Sequence, residues 1–104
     1  MARNMIDKLE FEEQPGSVET HDLTMYALST CAFCKRAIKF LEDHDVKFRY
    51  IYLDTINPMV KGTVKSELKS RYDVLPVFPV LVIDEREAIT GFVEDKWKQI
   101  LSLD

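Results

Sequence analysis

Ser29-Thr30-Cys31-Ala32-Phe33-Cys34-Lys35-Arg36 is the stretch on which the reading of this chain turns. Both cysteines of the protein lie in it, separated by Ala32 and Phe33. Before it, Leu23 to Leu28 reads as a buried strand. After it, Cys34, Ala37, Ile38 and Leu41 fall at i, i+3, i+4 and i+7, one apolar face of a helix, with Lys35, Arg36, Lys39, Glu42 and Asp43 off that face. Cys31 therefore stands where a strand gives way to a helix. A Cys-x-x-Cys at such a turn, beside a βαβ pattern, reads as a redox-active dithiol.

The chemistry accounts for the placement. The thiolate, not the thiol, attacks a disulfide. A helix start offers unpaired N–H groups and about half a positive charge. The amides of Phe33 and Cys34 are the expected donors to Cys31, and Lys35 and Arg36 supply positive charge at the helix start. Cys34 lies one turn on, tilted toward the core and within reach of Cys31. Cys31 is thus the expected nucleophile and Cys34 the thiol that resolves a mixed disulfide. A zinc site would need about four ligands. The remaining candidates of the usual kind, His21 and His44, lack ligand spacing to the pair, so no metal is assigned. A structural disulfide here would close a tiny loop and gain little.

The chain has 104 residues, 46% hydrophobic and 31% charged, with a net charge of −4. That is one domain, able to bury about two-thirds of its unfolded surface. The acidic balance gives no nucleic-acid footprint. No apolar run is long enough to cross a membrane, and no secretory h-region opens the chain. A cytoplasmic, reducing location is expected, where paired cysteines are more often catalytic than structural.

Residues 1–20 read as an acidic N-terminal extension to a domain over residues 21–104. The extension carries Asp7, Glu10, Glu12, Glu13 and Glu19 against Arg3 and Lys8, and Gln14-Pro15-Gly16-Ser17 is turn or linker chemistry. Met5, Ile6, Leu9 and Phe11 suit a short helix or strand that docks; a mobile tail, dispensable for fold and chemistry, is the other reading. The first helix should stop at His44-Asp45, with Asp45 left-handed. Lys47 to Leu53 reads as a strand with Phe48, Tyr50 and Tyr52 on one face. Asn57-Pro58 starts a helix whose inward face is Val60, Val64, Leu68 and Tyr72. Val80 to Ile83 and Ala88 to Thr90 form a hairpin. Val93, Trp97, Ile100 and Leu101 mark the face of a last helix, with Glu94 and Asp95 in its first turn. The order is β-α-β-α-β-β-α, an α/β arrangement of one parallel pair and one antiparallel hairpin.

That order, with Thr30-Cys31-Ala32-Phe33-Cys34, Phe78-Pro79 before a strand and Gly91-Phe92 before the last helix, resembles the glutaredoxins of the thioredoxin superfamily over about residues 22–103. The resemblance implies a four-stranded mixed sheet flanked by helices. It implies a thiol–disulfide oxidoreductase serving electron transport and cell redox homeostasis. Cys31 would attack, Cys34 would resolve, and Pro79 would be cis and face them, with Pro76 as its rival. Phe33, Phe78, Pro79, Gly91 and Phe92 are the expected substrate-binding residues, forming a shallow apolar groove for an extended Cys-containing peptide, with Glu94 and Asp95 at its rim. No cofactor is expected to stay bound. The expected partners are a disulfide-containing protein substrate and, as reductant, glutathione or a flavin or iron–sulfur disulfide reductase; a monomer is expected. Leu28 stands where the family usually carries a lysine for the glutathione carboxylate, so weak glutathione binding is expected. The Gly91-Phe92 pair is similar to redoxins that feed ribonucleotide reductase. The alternative is a glutathione-dependent [2Fe–2S] protein in which two chains each lend Cys31 to one cluster.

Overall fold

The computed structural model describes residues 9–74 and 77–103. The elements are β1 Glu12–Gln14, β2 Leu23–Ala27, α1 Ala32–Asp43, β3 Phe48–Tyr52, a short 3₁₀ turn Leu53–Thr55, α2 Pro58–Tyr72, β4 Val80–Ile83, β5 Glu87–Thr90 and α3 Glu94–Leu101. They build a thioredoxin-like α/β fold around a five-stranded sheet in the order β1-β3-β2-β4-β5. β2 and β3 run parallel; β1 is antiparallel to β3, β4 to β2, and β5 to β4.

Alternation along each strand sorts side chains to two faces. Leu23, Met25, Ala27, Phe48, Leu81 and Ile83 join Cys34, Ala37, Phe40, Leu41, Trp97 and Leu101 in the core under α1 and α3. Tyr26, Ile51, Val80 and Val82 meet Val64 and Leu68 of α2 on the other face. Because both faces are covered, β2 and β4 are buried at every position.

The helix ends follow their local chemistry. Asn57 accepts from the Met59 N–H, and Pro58 takes the first helical position of α2. α1 closes at His44, and Asp45 takes the left-handed conformation, φ 55°. Val93 departs from expectation. It is the N-cap of α3 in extended backbone and is 60% exposed, so the buried face of α3 is made by Trp97 and Leu101.

The sheet has a fifth strand that the four-stranded expectation lacked. β1 lies within residues 1–20 and pairs with the outer edge of β3, Glu13 opposite Arg49. Phe11 packs edge-on against Tyr26, ring centroids 5.8 Å apart, with the Arg49 guanidinium 5.4 Å from its own centroid. Leu9 and Phe11 both rest on the core beneath α2. Further along, Val18 bridges to Val46, donating to the Asp45 carbonyl and accepting from the Lys47 N–H. The described part of the extension is thus a layer of the sheet. Met5, Ile6 and Pro76 lie outside the described residues.

Candidate functional site

Topology brings three distant segments to one end of the sheet. The chain leaves β2 at Ala27 toward Cys31, and β4 begins beside that end, with Tyr26 opposite Val80. The Phe78–Pro79 peptide bond is cis and stands immediately before β4. β5 returns to the same end, where the Gly91 N–H donates to the Pro79 carbonyl at 2.8 Å. Cys31, Phe78 and Phe92 all pack against the core under α1 and α3.

At the head of α1, Cys31 is the N-cap in extended backbone, φ −86° and ψ 115°. Its Sγ accepts from the Cys34 N–H at 3.1 Å. Of the two amides expected to face it, this is the one that makes the bond, the usual partner of an N-cap side chain. The Cys31 N–H donates to the Leu28 carbonyl at 3.1 Å, so residues 28–31 form a tight turn. Cys31 is partly exposed and Cys34 fully buried; both are free thiols.

Burial pushes the Cys34 thiol up to about 12, helped by its hydrogen bond and charge contact with Cys31, while a backbone hydrogen bond at Leu28 works the other way. The pair is therefore unequal: one sulfur faces solvent at a helix start and the other is held as a thiol. Tyr52 is shifted upward by burial and by Tyr50, Cys34, Asp54 and Glu42, which places its phenol in the field of the buried cysteine.

The remaining sequence-derived residues divide. Gly91 has φ 73° and open space where a Cβ would stand, so a backbone can approach it. Pro79 is fully buried, and its carbonyl accepts from the Gly91 N–H. Phe92 turns inward, 5.5 Å from Phe40 and 4.9 Å from Trp97, and the Trp97 indole N–H donates to the Gly91 carbonyl. Phe33 is 54% exposed, and Arg36 lies 5.6 Å from its ring centroid. Lys35 is exposed on α1. Val77 and Val93, which sequence reasoning did not assign to the site, flank the same end and are 55% and 60% exposed. A groove of about 350 Å³ lies along α1 between Arg36, Lys39, Asp43 and His44 and the Phe92–Glu94 segment; of the residues expected to form the apolar groove, only Phe92 lines it.

Among the described residues no three His, Cys, Asp or Glu side chains cluster as metal ligands. His21 pairs with Asp84 at 2.9 Å and His44 with the Phe40 carbonyl at 2.8 Å. No helix of the described residues is long and apolar enough to cross a membrane.

A search of curated protein sequences finds no significant match. Solved structures are more informative. A glutaredoxin from Methanosarcina mazei Go1 superposes with a TM-score of 0.75 at 29% identity, covering 91% of this chain and 90% of its own. Methanoredoxin from Methanosarcina acetivorans gives 0.76 at 28%, covering 88% and 96%. A glutaredoxin from Archaeoglobus fulgidus gives 0.67 at 29%, covering 79% and 87%. The family model for glutaredoxin matches residues 23–88, the span holding the cysteine pair and the cis-proline. On that match, carried by the strand, the Cys-x-x-Cys turn and the hairpin together, the chain belongs to the glutaredoxin family and is a glutaredoxin-like redox protein.

Proposed function

We propose that this protein is a dithiol–disulfide oxidoreductase acting on protein disulfides, with Cys31 as nucleophile and Cys34 as resolving thiol. The observation that carries the reading is the 3.1 Å bond from the Cys34 N–H to a partly exposed Cys31 Sγ, while Cys34 itself is buried. Cys31 thiolate attacks one sulfur of the substrate disulfide, and the other sulfur leaves as a thiolate. Once Cys31 is in the mixed disulfide it carries no negative charge, so the part that Cys31 plays in holding the proton on Cys34, second to burial, is lost. Cys34 then gives up its proton and attacks the Cys31 Sγ, releasing the second substrate thiol and closing a Cys31–Cys34 disulfide. Two electrons from glutathione or a disulfide reductase restore the dithiol. A monomer in a reducing compartment such as the cytoplasm suits this cycle.

Phe33, Val77, Phe92 and Val93 form the apolar surroundings, the Phe78 main chain is offered to an extended peptide, Gly91 without a Cβ lets that peptide come close, and Glu94 gives the rim an acidic side. Phe33→Ala is the clean probe, because an exposed side chain can be removed at little cost in stability. It should lower kcat/KM for a protein disulfide severalfold and leave reduction of a small-molecule disulfide unchanged. Equal effects on both would place the partner elsewhere. Phe92→Ala should show the same bias together with a lower Tm, since Phe92 also packs on Phe40 and Trp97.

Glutathione is proposed to bind weakly. Leu28 is a partly buried residue resting on the core beneath α2, so it brings no cation to the site. Leu28→Lys should raise turnover in a glutathione-coupled assay by about tenfold, the worth of one charge-assisted contact. Strong wild-type turnover with no gain in the variant would show that another cation, with Lys65 beside the Phe78 ring the first to test, already serves.

A further inference from the structure

The turn that presents Cys31 is anchored from outside itself. Asp54 is the middle residue of the 3₁₀ turn that follows β3, and its carboxylate takes both donors of Ser29. The Ser29 N–H donates to Oδ1 at 2.9 Å and the Ser29 hydroxyl to Oδ2 at 2.5 Å. These two bonds hold the Asp54 carboxyl below the usual carboxylate range, with Lys61 adding to the effect, so the acceptor is ionised through the neutral range. Ser29 lies two residues before Cys31 in the turn closed by the Cys31 N–H and the Leu28 carbonyl. On the other side of that turn, Cys31 is tied to α1 through its Sγ, which accepts from the Cys34 N–H, and its carbonyl, which accepts from the Lys35 N–H. Asp54 itself is exposed and takes no part in the core. A strongly engaged exposed carboxylate, spanning 25 positions in sequence to reach one turn, has its effect on that turn.

We propose that Asp54 is a positioning residue for Cys31: its two-point grip on Ser29 fixes the turn so that the Cys31 sulfur stays at the start of α1. A small misplacement of a reacting atom is costly in rate, up to about 100-fold for 1 Å. The proposal rests on the reading of Cys31 as the attacking thiol, and the test separates the two.

The measurement is the native alkylation rate of Cys31 by iodoacetamide at neutral pH, in Cys34→Ser protein, with Tm recorded for every variant. Asp54→Ala should slow alkylation about tenfold and Ser29→Ala, which keeps the main-chain N–H bond to Asp54, by less; the double variant should be no slower than Asp54→Ala alone, because the interaction is shared. Ser29→Thr, which keeps the hydroxyl donor, should restore the rate, whatever the change in Tm. If Asp54→Ala does not fold, Asp54→Asn takes its place and should alkylate more slowly than the wild type. Wild-type rates in folded Ser29→Ala protein, additive losses in the double variant, or failure of Ser29→Thr to restore the rate would each overturn the role of Asp54. Fast alkylation of Cys34 in Cys31→Ser protein that keeps Cys34 would overturn the reading of Cys31 instead.

Discussion

Cys31→Ser protein is expected to lose disulfide exchange down to background, on the order of 10³-fold or more, while Cys34→Ser protein should still attack and then stall as a mixed disulfide. The asymmetry is written in the surroundings of the two sulfurs. Cys31 is partly exposed, sits at the N-cap of α1 and receives the Cys34 N–H at 3.1 Å. Cys34 is fully buried, and burial above all pushes its thiol up to about 12. Only the first is placed where a substrate can reach it. Mass spectrometry after mixing each reduced variant with a disulfide-bonded peptide reads the result directly. A persistent adduct on Cys34→Ser and none on Cys31→Ser is expected. An adduct on Cys34 in the Cys31→Ser protein would reverse the roles.

A protein beginning at His21 is expected to lose about 3 kcal/mol of stability, a fall in Tm on the order of 10–20 °C. Removal takes away β1, the packing of Leu9 and Phe11 beneath α2 and the bonds joining Val18 to Asp45 and Lys47. It also bares the outer edge of β3, an unpaired strand open to association. A point substitution tests the same attachment in the full chain. A Cβ at Gly16 would stand 2.6 Å from main-chain atoms of Asp45, Val46 and Lys47, and main chain cannot swing aside as a side chain can. Gly16→Ala should therefore cost about 1–3 kcal/mol. Chemical denaturation of the three proteins is the measurement. Unchanged midpoints would show that residues 9–20 rest on the domain without supporting it.

Much of the site was legible because its signals are local. The spacing of Cys31 and Cys34, the apolar face running through Ala37 and Leu41, Asn57-Pro58 as a helix start and Asp45 as a left-handed stop are each settled within a turn or two of chain, by hydrogen-bonding geometry that neighbouring residues satisfy among themselves. The placement of Pro79 was likewise readable, since a proline without an N–H belongs before a strand rather than inside it. β1 carried no such signal. Glu12-Glu13-Gln14 has no apolar alternation, and it is a strand because β3 offers its main chain an edge.

The sequence by itself determined the order of elements from β2 to α3, the two faces of the core and which turn bears the thiols, because hydrophobic periodicity and capping act over short separations. Tertiary structure alone decided that Phe92 turns onto Phe40 and Trp97 while Phe33 and Val93 stay exposed, and that Asp54 reaches Ser29. Each of these depends on which strand lies beside which. Between residues 25 positions apart, contact is set by sheet order and register, and no property of either residue read alone contains that information.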